Sequence, residues 1–381
     1  MKPATLRLPE DLAAALASGH PWIYRNHLPA HRLQTGDWVR LVAGRAEAVG
    51  VYDAAGQVAV RLFSRTRVPS AADLAARVAE ALALRRRWMP PETDAYRLLF
   101  GEGDFLPGLV ADRYGRYLVV KTYSEGVRRA VLPAVVKALG RALGPRGIVL
   151  RSAAGIEPLY GEPPPPKLTV RERGLRFLAD LHRGQKTGLF LDQRENRQKV
   201  RELAAGARVL NLFAYNGGFS VYALAGGAAF ARSVDISAGA LADARENARL
   251  NGLADRHETV RADVFEFLNA HDEKYDLVVL DPPALAKKRG QLRAALRAYE
   301  RLNALALARV RPGGLLATAS CTAQVSPDAF REALAAAARR AGVRTQIVHQ
   351  AGHAPDHPLR PEFPEGRYLK FVVLRVLPTT S

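Results

Sequence analysis

Apolar residues recur along this chain in two rhythms. Up to about residue 70 they form short runs, at 38–42, 48–52 and 58–63, separated by turn residues such as Gly36-Asp37 and Asp53-Ala54-Ala55-Gly56. Such runs around a Gly/Asp turn predict a hairpin, and several this close together predict a small barrel. An Ala/Leu/Arg helix is predicted over 71–90, stopped by Pro90-Pro91. Its basic end, Arg85-Arg86-Arg87-Trp88, reads as a solvated helix terminus. Strands are then predicted at 109–114, 117–121 and 147–151, with a helix at 126–143. The prolines at 163–166 suit neither a helix interior nor a central strand, so they predict a loop near a domain join.

From about residue 186 the rhythm changes to alternating strands (209–213, 229–234, 258–261, 275–280, 315–319) and helices (218–225, 239–251, 264–270, 291–310). Alternation of this kind predicts a parallel sheet covered by helices. The chain is therefore read as α/β with three domains: a barrel over 1–70, a central α/β domain over 71–185 and a parallel-sheet domain over 186–381.

Charge adds a partner. Lys and Arg number 56 against 37 Asp and Glu, a net +19. So large an excess favours a polyanion, because each phosphate neutralised releases counterions. Arg, the commoner cation here, forks onto phosphate and stacks on bases, which suits RNA. No apolar stretch approaches the ~20 residues of a membrane helix, and the N-terminus lacks a signal-like apolar core. A soluble cytoplasmic protein without membrane contact is expected.

The chain has one cysteine, Cys321, which excludes an internal disulfide and a cysteine-based metal site. His353, Asp356 and His357 lie in a Pro-rich loop, where a structural or RNA-contacting role is expected rather than metal ligation. Trp22 and Tyr24 suit either base stacking or a core.

The ends of the predicted strands carry the chemistry. In a doubly wound sheet the ligand sits beyond the carboxyl ends of the strands. The first strand there runs into Phe213-Ala214-Tyr215-Asn216-Gly217-Gly218, whose glycines permit close backbone approach. The second ends at Asp235, suited to ribose hydroxyls. The third ends before Asp263, suited to an adenine amine, and the fourth at Asp281-Pro282-Pro283. The glycine pattern is not that of a nicotinamide or ATP site. Together these residues predict S-adenosylmethionine as cofactor.

The fifth strand ends at Ser320-Cys321-Thr322, on the same predicted edge as Asp281. A thiolate adding to carbon 6 of a pyrimidine makes carbon 5 nucleophilic enough to take a methyl group. A protonated Asp can relieve the charge that develops at ring nitrogen 3. Cys321 and Asp281 are thus the predicted catalytic pair, and the target base must leave its stack to reach them. The rival reading is an N-methyltransferase acting on an exocyclic amine of a purine. Such enzymes often follow Asp-Pro-Pro with an aromatic, whereas this chain continues Ala284-Leu285. A non-catalytic RNA-binding assembly factor is the third reading, opposed by the intact glycines and carboxylates.

The segments NLFAYNGGFSVYAL, DPPALAKKRGQL, ASCTAQVS, GQKTGLFLDQRENR and PDHPLRPEFPEGRYLK, with HPWIYRN and GDWVRLV nearer the start, resemble the bacterial large-subunit ribosomal RNA cytosine-C5 methyltransferases. The resemblance covers essentially the whole chain. It implies a PUA barrel for RNA, a central α/β domain, a Rossmann-like class I methyltransferase domain and a homodimer. It also implies that Cys321 is the nucleophile, that Asp281 holds the cytosine edge, and that residues 213–218, Asp235 and Asp263 hold the cofactor. Pro282, Pro283, Lys186, Lys287 and Lys288 are the substrate-side candidates. Many other RNA cytosine-C5 methyltransferases carry a second cysteine after the proline of the fourth-strand motif. This chain has none.

Overall fold

The computed structural model describes residues 3–286 and 289–378. The chain divides into two compact units. One comprises the chain up to Arg173, Ala179–Asp192 and Pro355–Gly366; the other comprises Gly174–Leu178, Gln193–Ala354 and the chain from Arg367 on.

In the first unit, β1 (Ala4–Arg7), β2 (Trp22–Tyr24), β3 (Trp38–Ala43), β4 (Ala46–Tyr52) and β5 (Val58–Ser64) form a five-stranded sheet in the order β1-β3-β4-β5-β2, with α1 (Ala13–Ser18) beside it. Its inward face is apolar, with Val39, Leu41, Ala59 and Val60 fully buried. A capping box at Ser70, with Asp73 three residues on, opens α2 (Ala71–Trp88). A second sheet follows, built from β6 (Ala95–Phe100), β7 (Leu109–Tyr114), β8 (Tyr117–Thr122), β9 (Gly147–Ser152) and β10 (Gly155–Gly161). Instead of one helix over 126–143 there are two, α3 (Glu125–Ala130) and α4 (Leu132–Leu143), broken at Val131 (φ −121°, ψ −41°). Pro133 explains the break: it has no N–H and its ring crowds the carbonyl one turn earlier. The basic end of α2 also departs from expectation. Arg85 is only 1% exposed and forks onto Asp104 (2.6 and 2.7 Å), while Arg86 and Arg87 stay in solvent. The hairpin of β11 (Lys167–Glu172) and β12 (Leu175–Asp180) was not foreseen.

The second unit holds a seven-stranded sheet in the order β15-β14-β13-β16-β17-β19-β18. Its strands are β13 (Arg208–Leu212), β14 (Phe230–Asp235), β15 (His257–Arg261), β16 (Tyr275–Leu280), β17 (Val310–Ser320), β18 (Thr345–Ala351) and β19 (Lys370–Val376). α5 (Arg194–Leu203) precedes the sheet. α6 (Gly218–Ala225), α7 (Ala238–Leu250), α8 (Val264–Ala270), α9 (Leu292–Leu307) and α10 (Pro327–Arg340) follow β13 to β17 in turn. The first five strands pair parallel, as the alternation predicts, but β19 runs antiparallel to both β17 and β18. The strand order reverses between β13 and β16, which places the crevice for a ligand at their carboxyl ends. No helix among the described residues is long and apolar enough to cross a membrane.

Candidate functional site

The turn after β13 is set by backbone geometry. The strand stops at Leu212, one residue earlier than its apolar run suggests, because Phe213 adopts a left-handed φ of 56°. Tyr215 does the same at 48°. Two large side chains at positive φ are costly and persist only where the surroundings impose them. Here Asp235 supplies part of that constraint: one carboxylate oxygen accepts from the Tyr215 amide (2.9 Å) and the other from Ser237 (2.8 Å). Gly217, at φ +74°, opens α6, and a Cβ there would lie 2.9 Å from the Cβ of Ala244. The glycine is thus required both by its backbone and by close packing of α6 on α7. Ala214, Asn216 and Gly217 are buried; Phe213, Tyr215 and Gly218 are half-buried.

Asp263 caps α8, its Oδ1 accepting from the amides of Phe265 (2.8 Å) and Glu266 (3.2 Å). Asp281 follows β16, and its Oδ2 accepts from the Gln193 amide nitrogen at 3.0 Å. The orientation of that amide is imposed from behind. Asn196 Nδ2 donates to the Gly352 carbonyl (3.1 Å), so it is a donor, and it donates again to Gln193 Oε1 (2.6 Å). Gln193 therefore turns its own N–H toward Asp281.

Cys321 follows β17 and is half-buried, its Sγ 3.8 Å from the Pro282 carbonyl. Thr322 joins the two strand ends: its hydroxyl accepts from the Leu285 amide (3.1 Å) and shares a 2.8 Å bond with the Tyr299 hydroxyl of α9. Burial, then the charges of Cys321 and Asp281, push the Tyr299 hydroxyl up to about 12, against bonds that lower it. Lys370 lies opposite Ser320 in the sheet and is 4% exposed. Its Nζ donates to the carbonyls of Thr322 (2.7 Å) and Tyr368 (3.0 Å).

Asp235, Asp263, Asp281 and Cys321 thus stand at the carboxyl ends of four strands of one sheet, around the glycine turn. Pro282 is buried and Pro283 exposed beside them. The donor set fits S-adenosylmethionine. It offers a Cβ-free turn for close approach, carboxylates for ribose hydroxyls and an adenine amine, and an apolar face at Ile236, 66% exposed right after Asp235.

Lys186 belongs to the other unit. It sits at a left-handed turn (φ 57°), pairs with Asp192 at 2.9 Å and lies over the Phe190 ring. Thr187 beside it bonds Asp112 (2.5 Å) and Tyr114 (2.8 Å). Lys287 and Lys288 lie outside the described residues. Asp356 is fully buried, accepting from the Arg97 amide (2.9 Å) and contacting His357 (3.1 Å), as a structural loop requires. Among the described residues no group of three His, Cys, Asp or Glu could hold a metal ion. Trp22 is half-buried, its indole N–H on Glu102 (2.8 Å) and its ring edge-on to Phe363.

The resemblance brings in Gln193 only as part of the segment 185–194, placed against cofactor and substrate; Asn196, Tyr299, Ile236 and Lys370 are not singled out by the sequence. Gln193 and Lys370 do fall within segments that carry the resemblance, so a signal was there. The apolar residue following the strand-end acid Asp235 could have pointed to Ile236.

Residues 125–364 match the S-adenosylmethionine-dependent methyltransferase family, and residues 6–65 match a PUA-like domain. A "Ribosomal RNA large subunit methyltransferase" of Deinococcus radiodurans is 42% identical over 97% of each chain. A "Ribosomal RNA large subunit methyltransferase I" of Klebsiella pneumoniae is 37% identical, covering 95% of this chain and 96% of its own. Among solved structures, a methyltransferase complexed with SAH superposes with a TM-score of 0.88 at 23% identity, over 98% of this chain and all of that one. A SAM-dependent methyltransferase from Streptococcus mutans reaches 0.86, also at 23% identity and with the same coverage. This chain belongs to the S-adenosylmethionine-dependent methyltransferase family, in the group that carries an N-terminal PUA-like domain and whose relatives are named ribosomal RNA large subunit methyltransferases.

Proposed function

We propose that this protein methylates carbon 5 of a cytosine in large-subunit ribosomal RNA through a covalent adduct with Cys321. The observation that carries the reading is the pairing of Cys321 with the Asp281-Pro282-Pro283 loop at adjacent strand ends, Sγ 3.8 Å from the Pro282 carbonyl. The names of the relatives support the RNA, and the net charge of +19 supports a polyanionic substrate.

In this reading residues 213–218, Asp235, Asp263 and Asp281 hold S-adenosylmethionine, which supplies the methyl group. Cys321 adds as thiolate to carbon 6, forming a C–S bond and shifting the C5–C6 electron pair onto carbon 5. Asp281 holds the cytosine edge and delivers a proton to nitrogen 3 as charge develops there. Gln193 orients Asp281. Once carbon 5 carries its methyl group, a base takes the carbon 5 proton. The freed pair restores the double bond and expels the thiolate, and nitrogen 3 returns its proton to Asp281. The missing aromatic after Asp-Pro-Pro weighs against exocyclic-amine transfer, which would also leave Cys321 without a role.

The barrel over 1–70 serves as the RNA grip in this scheme, with Lys287 and Lys288 as phosphate contacts, Lys186 on the substrate side, and Pro282 and Pro283 lining the base pocket. The protein then acts in the cytoplasm as a homodimer, the latter checked by sedimentation. RNA affinity should fall steeply with added salt; a flat response would refute a phosphate-dominated interface.

The test is mass spectrometry of nucleosides from ribosomal RNA incubated with labelled S-adenosylmethionine, wild type beside Cys321→Ala. Label in 5-methylcytosine, lost in the variant while cofactor affinity stays within about threefold, is expected. Label in a purine, or turnover by the variant, would sink the mechanism.

A further inference from the structure

A cysteine attacks as its thiolate, and at neutral pH an ordinary thiol is mostly protonated, so a nucleophilic cysteine needs a cation near it. We propose that the ammonium of Lys370 is the counter-ion that holds Cys321 as a thiolate. The inference concerns the same site and takes its catalytic meaning from the reading above.

The argument is geometric. Lys370 is the first residue of β19 and pairs in register with Ser320, the residue before Cys321. Its side chain is buried and its Nζ donates to the carbonyl of Thr322, the residue after Cys321, and to that of Tyr368. Two carbonyls take two of the three ammonium hydrogens, and no third hydrogen-bond partner is found among the described residues. A lysine in such a place is costly to keep charged unless an anion faces it. The charged groups that act on it are Cys321, at the end of β17, and Arg367, just before β19. Burial lowers Lys370 most, Cys321 raises it and Arg367 lowers it, leaving it at about 8. Lys370 is therefore still an ammonium at neutral pH. The pair exists while the amine is protonated and is lost as pH rises through about 8.

Because Cys321 is the only cysteine, alkylation of the whole protein reads it alone. Iodoacetamide labelling of the full chain, without RNA, is followed by intact mass from about pH 6 to pH 9. The variants are Lys370→Met and Lys370→Arg. In Lys370→Met the labelling midpoint should move up by about one pH unit, lowering the neutral-pH rate roughly tenfold. Lys370→Arg should restore most of the rate. Superimposed wild-type and Lys370→Met profiles, with both proteins melting cooperatively, would overturn the pairing.

Should Lys370→Met fail to fold, the reciprocal measurement stands in. Trace acetylation of Lys370, mapped by mass spectrometry, is compared between wild type and Cys321→Ala. Loss of the thiolate should lower the lysine midpoint, and an unchanged midpoint would overturn the pairing. The two readings fail separately. A shifted thiol profile with methylation surviving in Cys321→Ala sinks the covalent mechanism and keeps the pair. Superimposed profiles with an inactive Cys321→Ala do the reverse.

Discussion

The buried carboxylates of the first unit and the strand-end carboxylates of the second are held in opposite ways. Asp104 takes a two-pronged bond from Arg85 and a third from the Phe100 amide. Asp112 takes two from Arg97 and one from Thr187. In the second unit Asp235 and Asp263 accept from backbone amides, and Asp281 accepts from the neutral amide of Gln193. A carboxylate clasped by a guanidinium has its charge and lone pairs consumed by the fold. One held by backbone amides, as Asp235 and Asp263 are, is fixed in direction by neutral donors. On the proposed function the difference separates structural acids from chemical ones, and it yields predictions that can break it.

The largest effect is expected from Asp104→Ala. It strands the Arg85 guanidinium in the core and should cost about 3–5 kcal/mol of stability in urea denaturation. A loss near zero would mean that the pair is as dispensable as a surface one. Asp281→Asn should do the opposite, lowering methyl transfer at least ~100-fold while stability changes by less than about 1 kcal/mol. A variant that unfolds instead would return Asp281 to the structural class.

His257 tests the neutral side of the comparison. It completes a polar chain under the sheet, Asn211 to Ser220 to Ser233 to His257, and burial pushes it down to about 4. The unfolded chain binds the proton first, so stability present at neutral pH is lost as pH falls from the ordinary histidine value toward 4. Wild type should lose on the order of 2 kcal/mol more over that interval than His257→Asn. Equal losses in the two proteins would exclude this histidine. The smallest effect is expected at Gln193→Leu, which removes the Gln193 bond to Asp281. Activity should fall about tenfold at an unchanged melting temperature. Wild-type activity would show that Asp281 needs no prop.

Most strands and helices of the methyltransferase unit are legible to within a residue or two, because alternating apolar runs and Gly or Asp punctuation are local properties; β17, however, begins five residues before the expected 315–319, α9 ends three residues before 310, and α5 is not predicted. Where backbone strain intervened the reading slipped. Phe213 looks like a strand residue and is in fact the first of the turn. The expected pattern of strands and helices ends at Ala319, short of α10, β18 and the antiparallel β19. With β19 went Lys370, whose importance comes from a neighbour 49 positions earlier in the chain.

The sequence alone determined what kinds of groups stand at the strand ends: glycines at 217–218, acids at 235, 263 and 281, and one thiol at 321. It did so because period and punctuation fix which residues end a strand. Only the tertiary structure decided which of these groups face one another and who supports them. That Arg85 serves the core, that an amide from Asn196 aims Gln193 at Asp281, and that a buried lysine reaches the Thr322 carbonyl beside Cys321 all depend on contacts between residues far apart in the chain. Such contacts are set by packing and burial, which leave little local trace in the order of residues.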